Sequence, residues 1–141
     1  MASLSDPDVR TFLAEGTRTG HIAYLAADGR PLAAPVWFVL DGDRIAFNTG
    51  AETAKARAFQ RDPRVVMTID MPHPPYGFVQ VQGVVSTSDE LAEVRRIATA
   101  CGGRYMGDDR AEEFGARNGV PGELAVWIEP TRVIAMLDAT A

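Results

Sequence analysis

Two aspartate-glycine turns separate three short β-forming runs early in the chain, and no other feature constrains the fold as tightly. Residues 20–26 precede Asp28-Gly29, residues 31–40 precede Asp41-Gly42-Asp43, and residues 44–49 follow. Turns of this kind reach the positive φ values a tight hairpin demands, so successive runs are predicted to pair antiparallel in meander order.

The rest of the chain alternates in the same way. A helix is predicted to open with Ser5 or Asp6 as N-cap, Pro7 in the first turn and Gly16 as the stop; Val9, Phe12 and Leu13 share one face, as in a short amphipathic lid. Residues 52–61 read as a second helix, ended by Asp62-Pro63 because the residue before proline disfavours helical geometry. Residues 64–70 are β-rich, residues 71–75 form a proline-bearing loop, and in residues 77–86 Phe78, Val79, Val81, Val84 and Val85 interleave with glutamine and glycine.

Residues 86–100 carry capping-box spacing at Thr87 and Glu90 and an apolar stripe of Leu91, Val94, Ile97 and Ala98, so a helix is expected there, ended by Gly102-Gly103. A further helix is expected from about Asp109 to Asn118 and a loop over 118–122. The last strand covers 123–137, with Pro130 marking a bulge or an edge. About six strands with helices inserted between them predict a mainly β, antiparallel small barrel rather than a doubly wound sheet. At 141 residues the chain is expected to form one domain, 1–141.

One cysteine, Cys101, precludes an internal disulfide, and His21 and His73 have no second ligand beside them, which argues against a metal site. A net charge of −5 argues against general nucleic-acid binding. The residues from Met1 to Asp6 lack a basic stretch followed by an apolar one, and no apolar run approaches membrane-spanning length, so a cytoplasmic location is expected. No Gly-x-Ser-x-Gly elbow is present, and Cys101 beside Gly102-Gly103 suits a small buried residue better than a reactive thiol. Without a catalytic constellation of its own, an enzyme of this kind would draw its chemistry from a cofactor.

Lys55 is the sole lysine beside thirteen arginines, and it follows a strand end, Asn48-Thr49-Gly50, that runs directly into a helix. Free amides at a helix start, a threonine hydroxyl at Thr53 and the Lys55 ammonium together could hold an anion. The same spacing also describes an ordinary capped helix with a solvated lysine, and spacing alone does not separate the two. Adjacent aromatics in Pro35-Val36-Trp37-Phe38 point to opposite faces of a strand, so one can pack in the core while the other stands exposed. Tyr76, between Pro75 and Gly77, could cover a flat ligand or a partner subunit, or close a barrel end.

Together, Asp28-Gly29-Arg30-Pro31, Pro35-Val36-Trp37-Phe38, Phe47-Asn48-Thr49-Gly50, Ala54-Lys55-Ala56-Arg57 and Arg61-Asp62-Pro63-Arg64-Val65 resemble the pyridoxamine 5'-phosphate oxidase-like split β-barrel superfamily. Tyr105-Met106-Gly107 and Arg117-Asn118-Gly119-Val120-Pro121-Gly122-Glu123 are similar to the actinobacterial flavin/deazaflavin oxidoreductases of the B-type group, which often use coenzyme F420. The resemblance implies a homodimer with cofactor sites at the subunit interface and a small organic substrate. Val36, Trp37 and Phe38 would line the cofactor ring, partly through backbone groups. The segment with Asn48, Thr49, Gly50, Thr53, Ala54, Lys55 and Arg57 would hold the phosphate, and Pro75, Tyr76 and Gly77 would come from the other subunit.

Pyridoxamine 5'-phosphate oxidases proper carry a C-terminal arginine and histidine pair, whereas Leu137-Asp138-Ala139-Thr140-Ala141 stand here; oxidation of pyridoxamine phosphate is therefore not expected. Members that bind FMN usually show a second basic residue just before the lysine, and here that place holds Thr53, which favours the deazaflavin. The resemblance thus implies an F420-dependent reductase acting on an electron-poor double bond, with Tyr105 or Tyr76 as a candidate proton source. The alternatives are an FMN-dependent oxidoreductase on the same barrel and a flavin or F420 carrier without turnover.

Overall fold

A computed structural model describes all 141 residues. Seven strands form one antiparallel sheet: β1 (Gly20–Leu25), β2 (Pro31–Val36), β3 (Val39–Asp41), β4 (Arg44–Gly50), β5 (Arg64–Asp70), β6 (Phe78–Ser88) and β7 (Glu123–Met136). The helices are α1 (Pro7–Ala14), α2 (Ala54–Arg61), α3 (Leu91–Met106) and α4 (Ala111–Asn118), with a 3-10 turn at Asp108–Arg110. Strand order across the sheet is β2-β1-β5-β6-β7-β4-β3.

That order corrects the meander. Residues 31–40 do not form one strand. They break at Trp37-Phe38 into β2 and β3, which lie at opposite edges of the sheet. Six inter-strand steps in a flat sheet would set those edges roughly 29 Å apart, whereas three Cα steps from Val36 to Val39 span at most about 11 Å. The sheet must therefore curl until its edges approach, giving a barrel split along one seam.

At the seam the Phe38 backbone bonds outside the ladder. The Phe38 N–H donates to the Tyr105 hydroxyl at 3.1 Å, and its carbonyl accepts from Arg104 at 2.8 Å. Arg104 also donates to the carbonyls of Leu13 and Gly16 at 2.6 and 3.0 Å, and its guanidinium stacks over the Phe38 ring. The end of α3 thus clamps the seam to the end of α1. Phe38 is fully buried while Trp37 is 41 % exposed, which is the division of faces expected of adjacent aromatics.

Side-chain alternation divides the core. The larger cluster fills the barrel with Ile45 and Phe47 of β4, Leu124, Val126 and Ile128 of β7, alternate residues of β5 and β6, and the apolar faces of α1 and α2. A smaller cluster lies outside, where Ala46, Ala125 and Trp127 meet Val94, Ile97 and Cys101 of α3. β4 and β7 are therefore covered on both faces. At Pro130 the register shifts: Gly83 pairs with Pro130 and Gln82 with Arg132, leaving Thr131 as the bulged residue.

Helix α3 differs from expectation at both ends. Strand β6 continues through Thr87 to Ser88, so the Thr87–Glu90 capping box does not form, and Glu90 caps α3 without a side-chain bond. Leu91, expected in the apolar stripe, is 49 % exposed. Gly102-Gly103 lies inside α3 rather than ending it, because α4 packs there: a Cβ on Gly102 would stand 2.5 Å from the Phe114 Cβ. Helix α1 has Asp6 at its N-cap and Pro7 in its first turn, as expected, and Val9, Phe12 and Leu13 are buried.

Candidate functional site

Alternation along β4 separates neighbours that the sequence groups together. Thr49 shares the inner face with Phe47, is 6 % exposed, and lies 3.2 Å from the Thr53 hydroxyl. Asn48 lies on the outer face with Ala46, its amide donating to the carbonyls of Val94 and Leu124 at 3.2 and 3.4 Å. On β7, whose Glu123 pairs with Gly50, Glu123 takes the same outer face as Ala125 and Trp127. A cleft of about 290 Å³ opens beside this face, lined by Pro35, Val36, Trp37, Asn48, Lys55, Cys101, Asn118 and Glu123.

Four of the expected cofactor residues therefore meet: Val36, Trp37, Asn48 and Lys55. The Trp37 indole stacks flat on Tyr105, with centroids 5.0 Å apart and planes within 1°, while remaining partly exposed. Lys55 makes no ion pair. Thr53 caps α2: its hydroxyl accepts from the Ala56 N–H at 3.2 Å and donates to the Gly50 carbonyl at 2.8 Å. The cap uses the Thr53 proton and leaves the N–H groups of Ala54 and Lys55 without a protein partner at the positive end of the helix. Two amides at this helix start and the Lys55 ammonium are thus free of protein partners and can accept an anion, while Thr49 and Thr53 are engaged with each other and with the cap.

Other expected residues lie differently. The Phe38 ring is in the core, and both its backbone groups are bonded. Arg57 pairs with Glu52 at 3.1 Å on the surface. Gly50 sits where strand turns to helix, and a Cβ there would come within 3.1 Å of the Glu123 carboxylate. Pro75, Tyr76 and Gly77 do not line the cleft within one chain; their loop packs on the C-terminal segment, with the Ala139 N–H donating to the Pro75 carbonyl at 2.9 Å. Tyr76 is 51 % exposed. The Tyr105 hydroxyl donates to the Arg18 carbonyl at 2.6 Å and accepts from Phe38, so its proton is already committed, and burial raises its pKa further.

The pattern of residues did not single out Cys101, Asn118 or Glu123 as site residues. Burial pushes the Cys101 thiol up to about 12, so it lines the cleft as a neutral group. Burial also raises the Glu123 carboxyl, which has no hydrogen-bond donor beside it. The ladder that sets Glu123 opposite Gly50 is the signal that reveals it, and that pairing joins strands far apart in sequence. His21 and His73 line a second, polar cleft with Arg18 and Asp70, and no group of three His, Cys, Asp or Glu residues is placed to hold a metal ion.

A sequence profile of the pyridoxamine 5'-phosphate oxidase family matches residues 5–137. The chain belongs to this family. Among solved structures it is similar to a conserved hypothetical protein from Mycobacterium tuberculosis, with a TM-score of 0.83, 23 % identity, and coverage of 96 % of this chain and 86 % of that one. It is also similar to an F420 reductase, with a TM-score of 0.68, 23 % identity, and coverage of 88 % and 94 %. A pyridoxamine 5'-phosphate oxidase-related, FMN-binding protein from Nostoc punctiforme aligns with a TM-score of 0.63, 19 % identity, and coverage of 85 % and 74 %. Likeness at these identities carries the split-barrel fold. No curated protein matches the chain by sequence.

Proposed function

We propose that this member of the pyridoxamine 5'-phosphate oxidase family is an oxidoreductase that holds coenzyme F420 in the cleft between Trp37 and Lys55 and reduces an electron-poor double bond in a small organic substrate. One observation carries this: an exposed aromatic and the sole, unpaired lysine, which are distant in sequence, line the same cleft, beside two free helix amides. A planar ring with a phosphate-bearing tail suits that arrangement. When bound, reduced F420 would supply the hydride.

The side chains of this protein bind and orient. Lys55 and the amides of Ala54 and Lys55 take the phosphate, and Trp37, held flat by Tyr105, forms a wall for the ring. Asn48 fixes the floor by tying β4 to α3 and β7. At about 290 Å³ the cleft sits at the small end of ligand sites, which run roughly 300–1,000 Å³, so one chain encloses only part of the cofactor. A second copy, bringing Pro75, Tyr76 and Gly77, would complete it, and the exposed Tyr76 hydroxyl is better placed to deliver a proton than the bonded one of Tyr105.

FMN on the same corner is the second reading; the likeness to an F420 reductase and the absence of a second basic residue at Thr53 favour the deazaflavin. Separate fluorescence titrations with FMN and oxidised F420 test the choice: tight binding of FMN alone would overturn the F420 assignment. Turnover of reduced F420 with enones and quinones separates an enzyme from a carrier. Lys55→Ala is expected to weaken cofactor binding by about 1.5–3 kcal/mol, the worth of a charge-assisted hydrogen bond; unchanged affinity would remove Lys55 from the site.

A further inference from the structure

The cleft has only two charged side chains in its lining, Lys55 and Glu123, and they do not pair: no contact within 4.0 Å joins them. Glu123 is held by the β4–β7 ladder opposite Gly50, with Oε2 3.1 Å from the point a Gly50 Cβ would occupy, over the turn that leads into α2. No protein donor bonds its carboxylate. No arginine or lysine comes within 4.0 Å of it, and burial is what raises its carboxyl, with no neighbouring cation lowering it.

We propose that Glu123 selects the charge of the phosphate the cleft accepts, favouring a singly charged phosphodiester over a doubly charged phosphomonoester. This rests on the assignment of Lys55 and the α2 amides as the phosphate corner. With one lysine and one carboxylate the side-chain charges cancel, and the remaining positive potential comes from the helix terminus. Coulomb attraction grows in proportion to the ligand's charge, whereas the cost of stripping its water grows with the square of that charge. A site near electrical balance therefore penalises a dianion. Removing the carboxylate raises the potential, and a dianion feels that change twice as strongly as a monoanion.

FMN ends in a phosphomonoester, riboflavin lacks the phosphate, and F420 carries a phosphodiester. Their affinities are compared at pH 8, where the monoester is doubly charged, by fluorescence quenching of the wild-type protein, Glu123→Gln and Lys55→Ala. Glu123→Gln is expected to tighten FMN by about tenfold and F420 by about threefold, with riboflavin unchanged, following the two-to-one-to-zero ratio of phosphate charge. An unchanged FMN-to-riboflavin ratio, or an equal gain for all three ligands, would overturn the proposal.

Lys55→Ala separates this from the parent assignment. If it lowers FMN affinity relative to riboflavin while Glu123→Gln changes nothing, only the selector role fails; if neither substitution moves that ratio, the phosphate corner itself is wrong and the proposal fails with it. The wild-type protein gives a check that requires no variant to fold: FMN should bind at most a few-fold tighter than riboflavin, and a hundredfold preference for FMN would refute selection by Glu123.

Discussion

The Asp41 carboxylate joins three elements. Arg96 of α3 donates to both its oxygens at 3.0 and 2.9 Å, and Trp127 Nε1 of β7 donates to it at 2.9 Å, so β3, α3 and β7 share one polar junction. The Arg96 hydrogen bonds, helped by Trp127 and opposed by burial, hold its pKa at about 2, below the ordinary 3.8. A depressed carboxyl stabilises the fold above its unfolded value and loses that contribution as pH falls through its folded value. The melting temperature is therefore expected to fall between pH 4 and pH 2, and Asp41→Asn should flatten that part of the profile while lowering stability at pH 6. An unaltered acid limb in the variant would show that Asp41 does not control it. At this scale Lys55 was legible in the sequence because composition isolates it, whereas Glu123 and Asp41 draw their roles from partners dozens of residues away.

Helix α2 shows how an element positions a functional residue it does not itself stabilise. Its cap is the Thr53 hydroxyl, which also holds the Gly50 carbonyl and meets Thr49, so one side chain fixes the angle between β4 and α2 and with it the place of Lys55. Thr53→Ala is expected to cost about 1–2 kcal/mol, as loss of an N-cap does, with Thr53→Ser recovering most of it. Urea denaturation reads this as a shifted midpoint at constant slope; wild-type stability in the alanine variant would mean the cap contributes nothing. The end of α2 at Arg61 was foreseeable from Asp62-Pro63, but its start was not: the helix was expected from Glu52 and begins at Ala54 because Thr53 caps it, whereas β5 matches expectation at both ends. The end of α3 was not foreseeable, because the glycines that look like a stop are contact points for α4, and nothing within α3 records what packs on it.

Taken whole, the molecule is a sheet closed on itself by two residues, with its cleft at the seam. The Trp37-Phe38 link sets an aromatic strand end at the cleft that Lys55 of α2 also lines. If a second copy supplies Tyr76, the protein should sediment with the mass of two chains at micromolar concentration, and Tyr76→Ala should weaken cofactor binding without altering that mass. A single-chain mass at cofactor-saturating concentration would remove the Pro75–Tyr76–Gly77 loop from the site.

The sequence by itself determined the antiparallel β class, most strand limits, the capped helix and its lone lysine, because turns, alternation and caps are read from residues a few positions apart. Tertiary structure alone decided that residues 31–40 divide between two sheet edges, that Thr49 turns inward while Asn48 faces the cleft, and that Glu123 stands near Lys55. The physical reason is closure. Strand pairing and barrel curvature bring together residues from opposite ends of the chain, and no local preference encodes which distant partner will share a face.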